Sequence, residues 1–124
     1  MSTIKGAMGR TVQNAVQRID ASVFVADSAR ILGKVEIGEA SSVWFNAVIR
    51  CESHEVRIGR YSNVQDFAMI HVGYDHPTII GDFCSITHHA TVHGATIEDD
   101  CLIGIGATVM DGAVIGAGSI VAGG

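Results

Sequence analysis

Residues 97–121 read IEDDCLIGIGATVMDGAVIGAGSIV, and an Ile or Val opens every six-residue unit of this stretch. The openings fall at Ile97, Ile103, Val109, Ile115 and Val121. An amphipathic helix would repeat at about 3.6 residues and a half-buried strand at about 2. A period of six fits neither. It indicates a coil of short strands, each ending in a turn, with the aliphatic side chain pointing inward.

The same period extends towards the N-terminus with three changes of register. Three extra residues follow Ile49, four extra residues follow Ile70, and one residue is missing after Val92. After these corrections the series has sixteen positions, and all of them are Ile or Val: Val25, Ile31, Ile37, Val43, Ile49, Ile58, Val64, Ile70, Ile80, Ile86, Val92, Ile97, Ile103, Val109, Ile115 and Val121.

A second series of small or compact side chains lies four residues after most of these positions, which suits tight corners. Cys84 and Cys101 belong to it, one above the other on successive coils. We interpret both as thiols of the core rather than as ligands or redox centres. The third cysteine, Cys51, makes the number odd, and the spacing is not that of a metal finger, so we expect a reducing compartment.

The composition is that of a folded protein with an aliphatic core. Of 124 residues, 48% are hydrophobic, 17% charged and 6% aromatic. A net charge of −5 argues against nucleic acids and anionic membranes as partners, and no apolar run is long enough to span a bilayer. We predict a cytoplasmic protein in which residues 1–19 form a leader or cap and residues 20–124 a β-helix domain. The first eighteen residues lack acidic side chains, as a transit peptide also does.

The interruptions of the period contain most of the histidines. RCESHEVR (residues 50–57) and HVGYDHPTI (residues 71–79) are the two insertions. Insertions in a solenoid usually form loops, often on a functional face. Three hexapeptides make one coil, so His71 and His93 share a column once the insertion is counted, with Arg50 one coil below. Neighbouring strands lie about 4.8 Å apart, so two stacked imidazoles could chelate one ion.

His88 lies on a different side of the triangular coil from this column. It could reach the equivalent ion of a neighbouring subunit, if all three histidines are ligands. A triangular prism favours a closed three-fold ring. Three neutral imidazoles with an open fourth position form a catalytic zinc arrangement, and imidazoles also accept iron or cobalt.

Four segments resemble the γ-class carbonic anhydrases of the hexapeptide-repeat family: SSVWFNAVIRCE (41–52), IGRYSNVQD (58–66), MIH (69–71) and THHATVHG (87–94). The resemblance implies an all-β fold, a single-stranded left-handed parallel β-helix of about five coils in a trimeric prism. The handedness comes from the resemblance alone, because parallel crossovers are generally right-handed. The implied activity is the reversible hydration of CO₂ to bicarbonate by metal-bound hydroxide in a homotrimer, with Zn²⁺, Fe²⁺ or Co²⁺ as cofactor.

The resemblance also assigns roles to individual residues. In that family two histidine ligands come from one subunit and one from its neighbour, and they match His71, His93 and His88. Gln65 and Asp66 match a Gln-Asp pair that acts in catalysis. The Gln orients the hydroxide, and Asp66 shares the column of His88, where it supports that histidine or pairs across the interface.

Arg50 and Glu52 match the ends of an Arg-Gly-Asp segment that joins subunits and positions the metal site. Glu52 is longer than the family's Asp by one methylene, and Ser53 replaces a Glu of the founding-type enzyme. The loop after His71 is short, and Asp75 and His76 are its only evident candidates for proton transfer.

The chain stops at Gly123-Gly124 in mid-coil, without the C-terminal helix that family members usually have. Ser53, Glu52 and the short loop leave open a catalytically weak or inactive structural homologue that retains the metal. A CoA-dependent acyltransferase, which uses the same fold, is a further alternative.

Overall fold

The computed structural model describes residues 16–124, which form fifteen short β-strands and no helix. No helix within these residues is therefore long and apolar enough to cross a membrane. The leader predicted for residues 1–19 falls largely outside the described residues. The strands are β1 Arg18–Ile19, β2 Phe24–Val25, β3 Arg30–Ile37, β4 Ser42–Val43, β5 Val48–Ile58, β6 Asn63–Val64, β7 Met69–His71, β8 Thr78–Ile80, β9 Ser85–Ile86, β10 Thr91–His93, β11 Thr96–Ile97, β12 Leu102–Ile103, β13 Thr108–Val109, β14 Val114–Ile115 and β15 Ile120–Val121.

The strands stack in parallel on three faces, as the period of six predicts for a β-helix. The first face contains β2, β4, β6, β9, β12 and β15. The second face contains the first halves of β3 and β5, followed by β7, β10 and β13. The third face contains β1, the second halves of β3 and β5, β8, β11 and β14. Each circuit of the three faces is one coil, and about five coils are present.

The register of sixteen aliphatic positions is confirmed by the strand pairing. On the second face, Ile49 pairs with Ile70, and Ile70 pairs with Val92. The other two faces follow the predicted columns in the same way. Most of these side chains are almost fully buried, with Ile70 and Ile103 at 0% exposure. Removal of this apolar surface from water is the main force that holds the coils together.

The first insertion is not a loop, contrary to our expectation. RCESHEVR lies inside β5, which runs as a single strand of 11 residues across the corner between the second and third faces. Its partner β3 follows it through a register shift between Gly33 and Val35. A Cβ at Gly33 would lie 1.7 Å from the carbonyl oxygen of Cys51, so only glycine allows the two backbones to approach. The extra residues are thus absorbed by paired, bulged strands.

The corner between the third and first faces contains a column of small polar side chains, including the predicted core thiols. Ser62 Oγ donates to the Gly81 carbonyl at 2.7 Å, and Cys84 Sγ donates to the Glu98 carbonyl at 3.1 Å. Cys84 and Cys101 are free, buried and stacked, as predicted. Burial raises the pKa of the Cys84 thiol above its ordinary value, because the thiolate would lose its hydration.

Candidate metal centre

The outer surface of the second face presents the two stacked histidines. Successive side chains of a strand point to opposite sides, so the inward Ile70 and Val92 leave the residues that follow them pointing outward. His71 pairs in register with His93, and Arg50 pairs with His71 one coil below. The predicted column is confirmed.

The two imidazoles approach each other through one nitrogen each. His71 Nδ1 lies 3.1 Å from His93 Nε2, and the ring planes are inclined at 72°. The other nitrogen of each ring contacts a carboxylate. His71 Nε2 lies 2.7 Å from Glu52 Oε1, and His93 Nδ1 lies 2.5 Å from Asp111 Oδ1. Both rings are therefore held between a carboxylate and each other.

The carboxylates decide which nitrogens carry protons. An ionised carboxylate only accepts hydrogen bonds, so the outer nitrogens of both rings must donate. In neutral imidazoles the inner nitrogens, His71 Nδ1 and His93 Nε2, then have lone pairs that face each other. This arrangement is repulsive unless a proton or a metal cation lies between them. Two nitrogen ligands of a tetrahedral zinc ion stand about 3.3 Å apart, close to the separation observed, so the pair fits such a metal.

The predicted support residues Arg50 and Glu52 lie against the first of these histidines. Arg50 Nε is 2.7 Å from Glu52 Oε2, and the same carboxylate reaches His71 through its other oxygen. Arg50 Nη2 lies 3.4 Å from His71 Nε2. Glu52 therefore contacts both an arginine and a histidine of its own chain.

Asp111 was not foreseen from the sequence. It follows β13 and lies 18 residues after His93, one more than the 17 residues that separate the paired strands β10 and β13. Asp111 is therefore one position beyond the register of His93, and the repeat gives no signal for it. The hydrogen bond from His93 lowers the pKa of Asp111 below its ordinary value, so the carboxylate is charged at neutral pH.

His88 lies at the corner between the first and second faces, beside the predicted catalytic residues. His88 Nδ1 is 3.5 Å from Asp66 Oδ1. Together with Gln65, these side chains line a shallow groove of about 410 Å³, completed by Ser42, Trp44 and Asn63. Gln65 Nε2 donates to Asn63 Oδ1 at 2.9 Å, and no group among residues 16–124 donates to the side-chain carbonyl oxygen of Gln65. Among residues 16–124, no three His, Cys, Asp or Glu side chains form a metal-binding group in one chain.

The chain is similar to known proteins in sequence and in structure. A family profile described as bacterial transferase hexapeptide (six repeats) matches residues 94–124. A protein from Methanocaldococcus jannaschii with the name "Probable carbonic anhydrase" is 49% identical over 87 residues, which is 70% of this chain and 55% of that protein. The crystal structure of a hexapeptide transferase family protein from Anaplasma phagocytophilum has a TM-score of 0.74 and 31% identity, over 89% of this chain and 72% of that chain. This chain is a γ-carbonic anhydrase-like member of the hexapeptide-repeat family.

The plant relatives match nearly the whole of this γ-carbonic anhydrase-like chain. Gamma carbonic anhydrase 1, mitochondrial, from Arabidopsis thaliana is 42% identical over 124 residues, covering 93% of this chain and 45% of that protein. The chain spans about half the length of the curated relatives it matches.

The second insertion of this hexapeptide-repeat chain is a true loop beside the histidine pair. Asp75 and His76 lie exposed on it, as Tyr74 does. His54 Nε2 lies 2.7 Å from the Tyr74 carbonyl oxygen, so a histidine that the family resemblance leaves without a role anchors the loop to β5. At the base of the loop, Thr78 donates to the His71 carbonyl and accepts from the backbone N–H of Gly94. The loop is thereby tied to both histidine strands.

Proposed function

We propose that this protein is a metal-dependent carbonic anhydrase that hydrates CO₂ reversibly at sites between the subunits of a homotrimer. The observation that carries the proposal is the pair of inner imidazole nitrogens of His71 and His93, which lie 3.1 Å apart while the other nitrogen of each ring contacts a carboxylate. Zn²⁺ is the proposed ion, with Fe²⁺ or Co²⁺ as alternatives that imidazole also accepts.

Two ligands leave the coordination incomplete, and His88 is the proposed third. It stands at another corner of its own chain, so it would serve the histidine pair of a neighbouring subunit. Half-exposed apolar side chains lie along the same corner on this and other coils: Phe45 and Phe67 are 50% and 52% exposed, and Ile105 is 61% exposed. A column of this kind is better covered by protein than left in water, and a second copy of the chain would cover it. In this proposal the third ligand and the contact between subunits lie at the same corner of the chain.

The residues around the ion have distinct proposed roles. A zinc ion held by three imidazoles supplies hydroxide at neutral pH. The side-chain amide of Gln65 is oriented by its donation to Asn63. Its carbonyl oxygen would accept a hydrogen bond from the nucleophile and orient it. Asp66 lies beside His88 and would hold the orientation of that ring. Arg50 and Glu52 would do the same for His71, through the contact of Glu52 with its Nε2.

Proton release to solvent is the remaining step, and we assign it to the exposed loop. Asp75 and His76 are both exposed beside the histidine pair. Imidazole and carboxylate groups both serve as proton carriers in enzymes. We also propose a cytoplasmic location, whereas the Arabidopsis relatives are mitochondrial by name.

The rate of CO₂ hydration by metal-loaded protein tests the proposed activity. The matched control is His93→Ala, which removes one imidazole and leaves the buried Val92 in place. We expect hydration above the His93→Ala background, together with about one ion per chain in a trimer. Equal rates of CO₂ hydration for wild-type protein and His93→Ala would reject the proposed enzymatic activity and favour the structural homologue.

The names of some relatives favour a second candidate, acyl transfer from acyl-CoA. An uncharacterized transferase, YtoA, from Bacillus subtilis is 42% identical over 80 residues. Acyl transfer needs a general base but not three imidazoles around one ion. Release of free CoA from acetyl-CoA by metal-free protein only when an amine or alcohol is present to accept the acetyl group, without CO₂ hydration by the loaded form, would favour this candidate.

A further inference from the structure

The carboxylate of Asp111 occupies a notch beside the second histidine. It lies on the turn after β13, on the coil that follows His93, and its Oδ1 is 2.5 Å from His93 Nδ1. Its other oxygen, Oδ2, faces the backbone of the loop that follows His71. The side chain is therefore held through Oδ1 and lies against the backbone at Gly73, although it is partly exposed.

Two glycines make room for this carboxylate. A Cβ at Gly73 would lie 2.2 Å from Asp111 Oδ2, and a Cβ at Gly94 would lie 3.1 Å from Asp111 Cγ. Gly73 stands two residues after His71, and Gly94 directly follows His93. A glycine thus follows each histidine strand, and both glycines lie beside the carboxylate of Asp111. The notch is built by three separate coils rather than by one turn.

We infer that Asp111 is a positioning residue, which holds the proton of His93 on Nδ1 and directs the Nε2 lone pair at the metal. This inference rests on the proposed function, because it concerns the same site. A histidine that ligates a metal commonly donates its other ring N–H to a carboxylate, and this contact fixes the tautomer and raises the basicity of the ligand. On His71 the same part is played by Glu52, so each histidine of the pair has its own carboxylate.

Three variants separate this role from a general effect on the fold. Asp111→Ala removes the acceptor, and Asp111→Asn keeps an acceptor oxygen but loses the charge. Gly73→Ala leaves Asp111 in the chain but displaces its carboxylate from the notch. Asp27→Ala, which removes an exposed carboxylate far from the site, controls for net charge.

The first measurement is Zn²⁺ affinity by competition with a chelator, on intact protein. Loss of an outer partner of this kind typically lowers metal affinity by about 10–100-fold. We expect a loss in that range for Asp111→Ala, a smaller loss for Asp111→Asn, an intermediate loss for Gly73→Ala, and none for Asp27→Ala. Unchanged affinity in Asp111→Ala would overturn the inference while the proposed function stands. Wild-type protein that binds no Zn²⁺ would overturn both.

The second measurement is the tautomer of His93 in metal-free protein, by ¹⁵N NMR of the imidazoles. In wild-type protein we expect the Nδ1–H form at neutral pH. Asp111→Ala should shift His93 towards the Nε2–H form, which is the commoner form of the free neutral histidine side chain, without changing His54. A His93 tautomer that is the same in both proteins would contradict the positioning role, because a merely structural Asp111 would not move this signal.

Discussion

The coils of residues 97–121 and those of residues 41–93 have the same fold but differ in regularity. The first group keeps an unbroken period of six, and it lies within the stretch that the hexapeptide profile matches. The second group contains both insertions and all six histidines. The aliphatic columns pass through both groups without a gap. The repeat therefore supplies the scaffold, and the interruptions supply the chemistry.

The two groups also differ at the corners, where the backbone takes positive φ. The regular coils use glycine at three of these corners, Gly106, Gly112 and Gly118, and aspartate at a fourth, Asp100. The interrupted coils place larger side chains in the same strained conformation, and these stack in pairs, Tyr61 on Phe83 and Phe67 on His89. A side chain in this conformation costs about 1–2 kcal/mol. Stacking between coils offsets part of that cost only where the corner has a neighbour of the same kind.

The largest effect should come from His88→Ala, compared with His89→Ala. The two residues are adjacent at one corner, but only His88 is a proposed ligand. We expect His88→Ala to lose more Zn²⁺ affinity than the roughly 10–100-fold that an outer partner contributes. His89→Ala removes a stacked ring from Phe67 and should bind Zn²⁺ as wild type does. Chelator competition measures both, and equal losses would remove the distinction between the two histidines.

A core truncation in each group should have the same effect on stability but not on metal binding. Ile70→Ala and Ile103→Ala each remove a fully buried side chain and should lower the free energy of unfolding by about 2–5 kcal/mol. Only Ile70 directly precedes a proposed ligand, so only Ile70→Ala should also weaken Zn²⁺ binding. Ile120→Ala, at a side chain 77% exposed, should cost less than about 0.5 kcal/mol. Urea unfolding with and without Zn²⁺ separates these outcomes. Equal Zn²⁺ affinities for the two core variants would contradict the proposed difference between the two groups of coils.

The corner thiols should make the fold sensitive to alkaline pH. Burial raises the pKa of Cys84 in the folded chain above its value in the unfolded chain. The contribution of the neutral thiol to stability is therefore fully present below the unfolded pKa, about 8.5, and is lost as pH rises through the folded pKa. Cys84→Ser places a serine at this corner, as Ser62 does one coil below. The free energy of unfolding of this variant should decline less than that of wild type between pH 8 and pH 10. Identical declines in urea unfolding would rule out Cys84 as the cause.

The smallest effect on stability should come from substitutions at the corners where φ is positive. Gly106 has φ of 70°, and an added Cβ would meet no atom within 4 Å, so Gly106→Ala introduces backbone strain alone. We expect it to cost about 1 kcal/mol. Asn46 has φ of 59° in an interrupted coil, and asparagine tolerates this conformation. Asn46→Gly should therefore stay within about 0.5 kcal/mol of wild type. Thermal unfolding would contradict the account if the two changes were equal in size and sign.

The sequence predicted more of the fold than of the site, for physical reasons. Each aliphatic position repeats at a fixed interval, so a single register describes all three faces, including the pairing of Ile70 with Val92. The stacking of His71 on His93 follows from the same register. The strand through RCESHEVR could not be foreseen, because it depends on how Gly33 meets Cys51 on another coil.

Asp111 was missed for a related reason. It belongs to the regular coils, where we expected only scaffold, and it reaches the site because two glycines on other coils leave space for its carboxylate. A contact of this kind depends on side-chain reach across coils, which a period of six does not encode. The regular coils of residues 97–121 therefore contribute one residue to the candidate metal centre of residues 41–93.

The central claim is a metal site divided between two chains, and complementation of two defective variants tests it most directly. His88→Ala retains the histidine pair, and His93→Ala retains the third ligand. Each variant alone should bind no Zn²⁺ tightly. After the two are mixed, unfolded and refolded together in equal amounts, about a quarter of the subunit boundaries should join an intact pair to an intact His88 in a random three-fold ring. The account predicts recovery of about a quarter of the wild-type Zn²⁺ content; no recovery, from mixed trimers shown to have formed, would contradict it.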